Sequence, residues 1–129
     1  MNEPEFLEPD AVMFLHDTAL REYGGTQGLK SMDLLHSALD RPLNRYHYAE
    51  LGAVDLFDLA AAYAFGIASN HPFNDANKRT GWSSCVLFLK VNERNINVAA
   101  PDVVDHMVSL VAGGLDEVAF AAWLRQHQV

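Results

Sequence analysis

The chain has 129 residues, half of them hydrophobic, and its 17 acidic side chains outnumber the 9 basic ones to leave a formal net charge of −8. That length suits one domain, residues 1–129, around one core, and the acidic balance without any Lys or Arg run argues against direct nucleic-acid binding. A single cysteine, Cys85, excludes a disulfide framework, while short apolar runs and the acidic, proline-interrupted start MNEPEFLEPD exclude a membrane span or secretory signal, so a cytoplasmic protein is expected.

Glu8-Pro9-Asp10 opens the first predicted helix, with proline at a tolerated first-turn position; Val12, Leu15, Ala19 and Tyr23 recur at helical spacing until Gly24-Gly25. Ser31 caps a second helix carrying Leu34, Leu35, Ala38 and Leu39, which is expected to end near Arg41 because Pro42 lacks the N–H that would continue it. Leu43 to Ala53 has no clean period, and a short hairpin or β-bridge has room to form around Arg45 to Ala53. Asp55 starts a strongly patterned helix with Leu56, Leu59, Ala60, Tyr63 and Ile67 on one face, ending near Asn70. The turn-rich segment HPFNDAN then feeds an apolar helix containing Trp82, Val86, Leu87 and Leu89. A short extended piece, Ile96 to Val98, precedes a helix opened by Pro101, with Val104, Met107, Val108 and Val111 at core spacing and Gly113-Gly114 at its end. Asp116 caps a last helix presenting Phe120, Trp123 and Leu124. Helix follows helix with hardly any strand pattern, so the fold class is all-α, a helical bundle.

Chemistry concentrates in one place. HPFNDANKRTG, residues 71–81, puts an imidazole, a carboxylate, two carboxamides, an ammonium and a guanidinium at the entrance to a helix. The free amides and positive dipole end of a helix attract phosphate oxygens, and Lys78 and Arg79 add full positive charge. A triphosphate there needs a divalent cation, and one carboxylate sharing Mg²⁺ with phosphate oxygens and water is the usual arrangement, which points to Asp75. Imidazole is the side chain that ordinarily titrates near neutrality, at roughly 6.5, so a histidine at 71, His71, suits the acceptor of a hydroxyl proton, a role that contributes about 10²- to 10⁴-fold. Charge compensation and alignment fall to Asn77, Lys78, Arg79 and the metal. Phe73, an aromatic in a polar loop, is expected to point into the core and pin the loop.

HPFNDANKR follows, in order, the Fic signature of His, any residue, Phe, any residue, Asp or Glu, Gly or Ala, Asn, Gly or Lys, Arg. The chain therefore resembles the Fic family, and the form NDANKRT resembles its Doc (death-on-curing) branch, with Ala76 and Lys78 where other members carry glycine. The likeness extends to LHD at 15–17, YGG at 23–25, Ala38 to Pro42 and DLFDLAAAY at 55–63. It implies a compact Fic fold with His71 as base, Asp75 holding Mg²⁺, and Asn74, Ala76, Asn77, Lys78 and Arg79 gripping the phosphates of ATP. Typical Fic enzymes transfer AMP and carry a second arginine three residues after the first, where Trp82 stands here. Doc-type toxins instead pass the γ-phosphate to a threonine of the translation elongation factor that delivers aminoacyl-tRNA, and that kinase-like reaction is the expected one. The resemblance further implies restraint by a cognate antitoxin whose C-terminal segment folds into a groove of the toxin; no inhibitory helix motif matches well, the nearest being Thr18 to Glu22. Protein adenylylation and a non-catalytic Fic-fold binding module are the alternatives.

Other features read as structural. Asp75 alone would be a helix cap and His71 alone a hydrogen-bonded structural histidine; their mutual spacing with Arg79 is what promotes them. His16 is expected to be hydrogen-bonded or exposed, because it and Asp17 are helical neighbours that point in different directions. His36, His47, His106 and His127 lack ligand spacing. Tyr46, His47 and Tyr48 fall where the Fic family carries a flap that docks target backbone, and ordinary loop packing is the competing role.

Overall fold

A computed structural model describes residues 3–50 and 53–129. It contains six helices: α1 Pro9–Tyr23, α2 Met32–Tyr48, α3 Leu56–Asn70, α4 Asn77–Val91, α5 Ala100–Ala112 and α6 Glu117–Gln126. Extended pairing among the described residues is confined to two isolated bridges, Leu29 with Phe73 and Ile96 with Gln128. The fold is all-α, as the element pattern requires.

The helices begin where side chains can satisfy their first amides. Ser31 Oγ accepts from Leu34 N–H, Asp116 accepts from Ala119 N–H, and Asp55 and Asp58 form a reciprocal capping box. Gly24 and Gly113 close α1 and α5 with positive φ, as the glycine pairs in the sequence predict.

Helix α3 is the centre of the molecule. Eleven of its fifteen residues are buried, so it is apolar all round rather than on one stripe, and α2, α4, α5 and α6 pack about it. Its small residues set how closely they pack. A Cβ on Gly66 would come within 3.0 Å of the Ala38 carbonyl on α2, and one on Gly81 of α4 within 2.9 Å of the Ala64 carbonyl on α3. Tyr63 is fully buried, its hydroxyl accepts from Leu7 N–H at 2.9 Å, and burial pushes its pKa up to about 12. Cys85 is a buried free thiol, also pushed up by burial.

Three expectations change. Helix α2 does not stop at Arg41; it runs through buried Pro42 to Tyr48, so Arg45 to Tyr48 form its last turn rather than one arm of a hairpin, and the flap expected of Tyr46, His47 and Tyr48 is helical there. The proline removes the N–H that would bond the Ala38 carbonyl, and that carbonyl lies at the close approach to Gly66. Leu51 and Gly52, in the rest of the expected hairpin, lie outside the described residues. Helix α4 buries Thr80, Gly81, Ser84, Cys85, Phe88 and Leu89, while Trp82, Val86 and Leu87 are half-buried. On α5, Met107 and Leu110 are core, whereas Val104 and Val108 are exposed. No helix among the described residues is long and apolar enough to cross a membrane.

Candidate active site

The segment from His71 to Ala76 joins the central helix to α4 and is bracketed by two residues in left-handed conformation, His71 at φ 52° closing α3 and Ala76 at φ 62° preceding α4. A Cβ makes that conformation costly by roughly 1–2 kcal/mol, so surrounding contacts must hold the loop. Phe73, 2% exposed, anchors it by stacking on buried His16 at 3.8 Å between ring centroids. His16 Nε2 also lies 3.0 Å from the Asp75 carbonyl oxygen. Phe73 thus has the pinning role expected of it, and His16 is hydrogen-bonded as expected, directly behind the loop.

Asn77 braces the loop from within. Its Oδ1 accepts from Phe73 N–H at 3.0 Å and its Nδ2 donates to the Phe73 carbonyl at 3.0 Å. These two bonds fix which end of the amide faces which way, so Nδ2 is the atom 3.2 Å from His71 Nδ1. His71 itself is exposed, and its Nε2 has no protein partner among the described residues.

The carboxylate of Asp75 is held by backbone amides: Oδ2 accepts from Thr26 N–H at 3.1 Å and Oδ1 from Ala76 N–H at 2.8 Å. Those hydrogen bonds, Thr26 first and Ala76 next, keep its pKa below the usual carboxylate value, with Arg79 and His16 adding to the effect. Each oxygen keeps a lone pair. Asn74 bonds the turn after α1 through its N–H to the Gly28 carbonyl and its Nδ2 to the Gln27 carbonyl.

Asn74, Asp75, Ala76, Asn77, Lys78, Arg79 and His71 all line one cleft of about 880 Å³ between α1, α4 and α5. Its far wall is apolar, with Trp82, Val98, Val103, Val104 and Val108. Lys78 is exposed, and Arg79 donates to the Ala19 and Gly24 carbonyls at 3.4 and 3.3 Å while lying over the Tyr23 ring. Neither cation has a carboxylate at ion-pair distance among the described residues.

The N-terminus of α4 differs from those of the other five helices. Each of those has a side-chain cap or a first-turn proline, and each has an acidic residue in its first turn. Helix α4 has none of these, and it opens on Asn77-Lys78-Arg79. Uncapped amides, the dipole and two unpaired cations converge on the cleft, an arrangement complementary to an anion with several charges.

The structure brings every selected residue to one cleft; the contacts of the Gly25 to Gly28 turn with the loop, and the place of His16 behind it, are the features the sequence reading lacked. The tight Gly-Gly and Gly spacing after α1 was the available signal for the turn; for His16 it was LHD at 15–17, which marks the position without giving it a role.

A helical fold that presents this loop beside an anion-receptive helix end defines the Fic/DOC class. The model of the Fic/DOC family matches residues 6–89, more than half of the chain, and the chain belongs to this family. It is 32% identical over 120 residues to "Protein kinase doc" of Escherichia phage P1, covering 93% of each chain. It is also 32% identical over 111 residues to "Toxin Doc" of Mycolicibacterium smegmatis, covering 83% of this chain and 78% of that relative. Such coverage agrees with the Doc form of the signature, NDANKRT.

Proposed function

We propose that this chain is a Doc-type toxin, a single-domain cytoplasmic enzyme that transfers the γ-phosphate of ATP to a hydroxyl of a translation elongation factor and so halts translation. The observation that carries the reading is the bare N-terminus of α4, whose amides meet Lys78 and Arg79 in a cleft large enough for a nucleotide. The phage P1 relative's name as a protein kinase supports phosphate transfer.

The residues fit a magnesium nucleotide. Asp75 is held in its ionised form with a lone pair free on each oxygen, and no three His, Cys, Asp or Glu side chains among the described residues form a metal group of their own. A cation at Asp75 would therefore share its coordination with phosphate oxygens and water. Bound there, Mg²⁺ offsets charge on the phosphoryl oxygens. Lys78 and the α4 amides hold the polyphosphate, Arg79 reaches it from its contacts with α1, and Asn74 and Asn77 keep the loop in shape. His71 takes the proton of the attacking hydroxyl at Nε2, which requires the ring's resting proton to sit on Nδ1 and the Asn77 contact to yield.

Adenylyl transfer is the less favoured chemistry, because Trp82 occupies the place of the second Fic arginine and packs near Trp123 and Phe120, at 5.7 and 6.4 Å between rings. The apolar wall at Val98, Val103, Val104 and Val108 suits a segment of the cognate antitoxin folding on binding. The net charge of −8 gives no footing for direct nucleic-acid contact.

The test is ATP labelled separately at the α and γ positions, incubated with the chain and a cell extract. Label from the γ position alone is expected on an elongation factor; transfer of α label would overturn the assignment in favour of AMP. His71→Ala and Asp75→Ala should each abolish labelling and growth arrest while leaving the circular dichroism unchanged. Growth arrest persisting in both would point to binding without catalysis.

A further inference from the structure

The turn between α1 and α2 bonds the signature loop through Thr26, Gln27 and Gly28. Thr26 N–H donates to Asp75 Oδ2 at 3.1 Å, the Gln27 carbonyl accepts from Asn74 Nδ2 at 3.0 Å, and the Gly28 carbonyl accepts from Asn74 N–H at 3.1 Å. The two glycines are where the loop's side chains come closest. A Cβ on Gly25 would lie 2.7 Å from Asp75 Oδ2, and one on Gly28 would lie 2.7 Å from Asn74 Nδ2. Both glycines have φ well into the left-handed half, 127° and 113°, so backbone and space each call for glycine there.

Asp75 is consequently gripped from two sides, by its own neighbour Ala76 and by an amide 49 positions earlier in the chain. Two N–H donors on different oxygens define the plane of a carboxylate and the directions of its remaining lone pairs. A residue that orients a metal ligand in this way tunes the metal without touching it.

We propose that Gly25, Thr26 and Gly28 are positioning residues for the cation side of the cleft: the turn sets the Asp75 carboxylate, with Asn74 beside it, in the orientation that binds a divalent ion with a polyphosphate. The proposal rests on the reading of Asp75 as metal ligand given above. Gly25 contributes by having no side chain, and Thr26 through its backbone amide.

Gly113, which closes α5 away from the loop, supplies the control. It also has positive φ, 88°, and a Cβ there meets nothing within 4 Å, so Gly113→Ala strains a backbone of the same kind without reaching Asp75. The experiment titrates Mn²⁺ into the full chain saturated with a non-hydrolysable ATP analogue and follows free Mn²⁺ by electron paramagnetic resonance. Gly25→Ala should weaken Mn²⁺ binding by about 10- to 100-fold, the range for losing an outer partner of a metal ligand, while Gly113→Ala stays within about twofold of the parent. Equal weakening in both glycine variants, or none in Gly25→Ala, would overturn the proposal.

Asp75→Ala separates this from the underlying reading. If that variant binds Mn²⁺ like the parent, Asp75 is not the ligand and the functional reading fails first; if it loses the ion while Gly25→Ala does not, only the positioning proposal fails. Should Gly25→Ala not fold, the parent decides through the Thr26 amide proton resonance, which reports the bond to Asp75 Oδ2 at 3.1 Å. That resonance should move when Mg²⁺ is titrated in and should be displaced in Asp75→Ala, which removes its acceptor; a Thr26 amide indifferent to Mg²⁺ refutes the proposal.

Discussion

Replacing Asn77 by alanine removes the brace inside the signature loop, and its cost follows from what is left behind. The Phe73 N–H and carbonyl, each bonded to the Asn77 carboxamide at 3.0 Å, lose their partner beneath a residue only 2% exposed. A buried backbone group left unsatisfied costs about 1–3 kcal/mol, and water entering beside the exposed His71 recovers part of that, so the net loss should be about 2–4 kcal/mol. For a chain of this size each kcal/mol lowers the melting temperature by roughly 3–5 °C, giving a drop of about 6–20 °C. Thermal melts followed by circular dichroism at 222 nm measure it. A variant melting within about 2 °C of the parent would refute the claim that these bonds hold the loop. The chemistry offers a second measure, since Asn77→Asp keeps an acceptor for Phe73 N–H and presents His71 Nδ1 with an acceptor in place of a donor. That favours the ring tautomer with a free Nε2, so Asn77→Asp should retain more γ-label transfer than Asn77→Ala; equal rates would dissociate the carboxamide from the histidine.

Gly81→Ala tests the close packing of α4 on α3. Alanine favours the helix by about 1 kcal/mol, but its Cβ at 2.9 Å from the Ala64 carbonyl forces a shift costing about 1–3 kcal/mol, so the melting temperature should fall by several degrees, and a rise would show that the helices can part freely. Asp55→Asn tests the ion pairs of Arg125 with Asp55 and Asp58. Burial alone would raise the Asp55 pKa, but the bonds from Arg125 and Asp58 outweigh it and the net shift is downward from 3.8. A lowered folded-state pKa stabilises above the unfolded value and loses that contribution as pH falls through the folded one. Asparagine keeps the cap and loses the charge, so the parent's advantage in melting temperature should be largest near neutrality and shrink below pH 3.8; an advantage independent of pH would refute the linkage.

Helix starts were legible because caps are local: Ser31, Asp55 and Asp116 each act within three residues of themselves. The signature loop was legible because its functional groups are consecutive and its order is restrictive. Pro42 was misread because its cost inside a helix depends on what surrounds the orphaned Ala38 carbonyl, and Gly66 lies 24 positions further along the chain. Val104 and Val108 obey core spacing yet line an open cleft; periodicity identifies an apolar face but not whether the chain itself covers it. On α4, composition gave no face: Thr80 and Ser84, polar by type, are fully buried, while Val86 and Leu87 are only half-buried. His16 and the turn at Gly25 to Gly28 act across 59 and about 46–49 positions, and a single sequence carries no record of such pairings.

The loop's two bracketing residues, His71 and Ala76, sit in a backbone state that neither would choose alone. Its shape is consequently borrowed from neighbours: the His16 ring, the bridge from Leu29 to Phe73, and the amides of Lys30 and Ser31 on the Pro72 carbonyl. Anyone grafting HPFNDANKR onto another helical hairpin would therefore transplant the lettering without the mould. A working graft would have to bring α1 from His16 onward and the turn as far as Ser31.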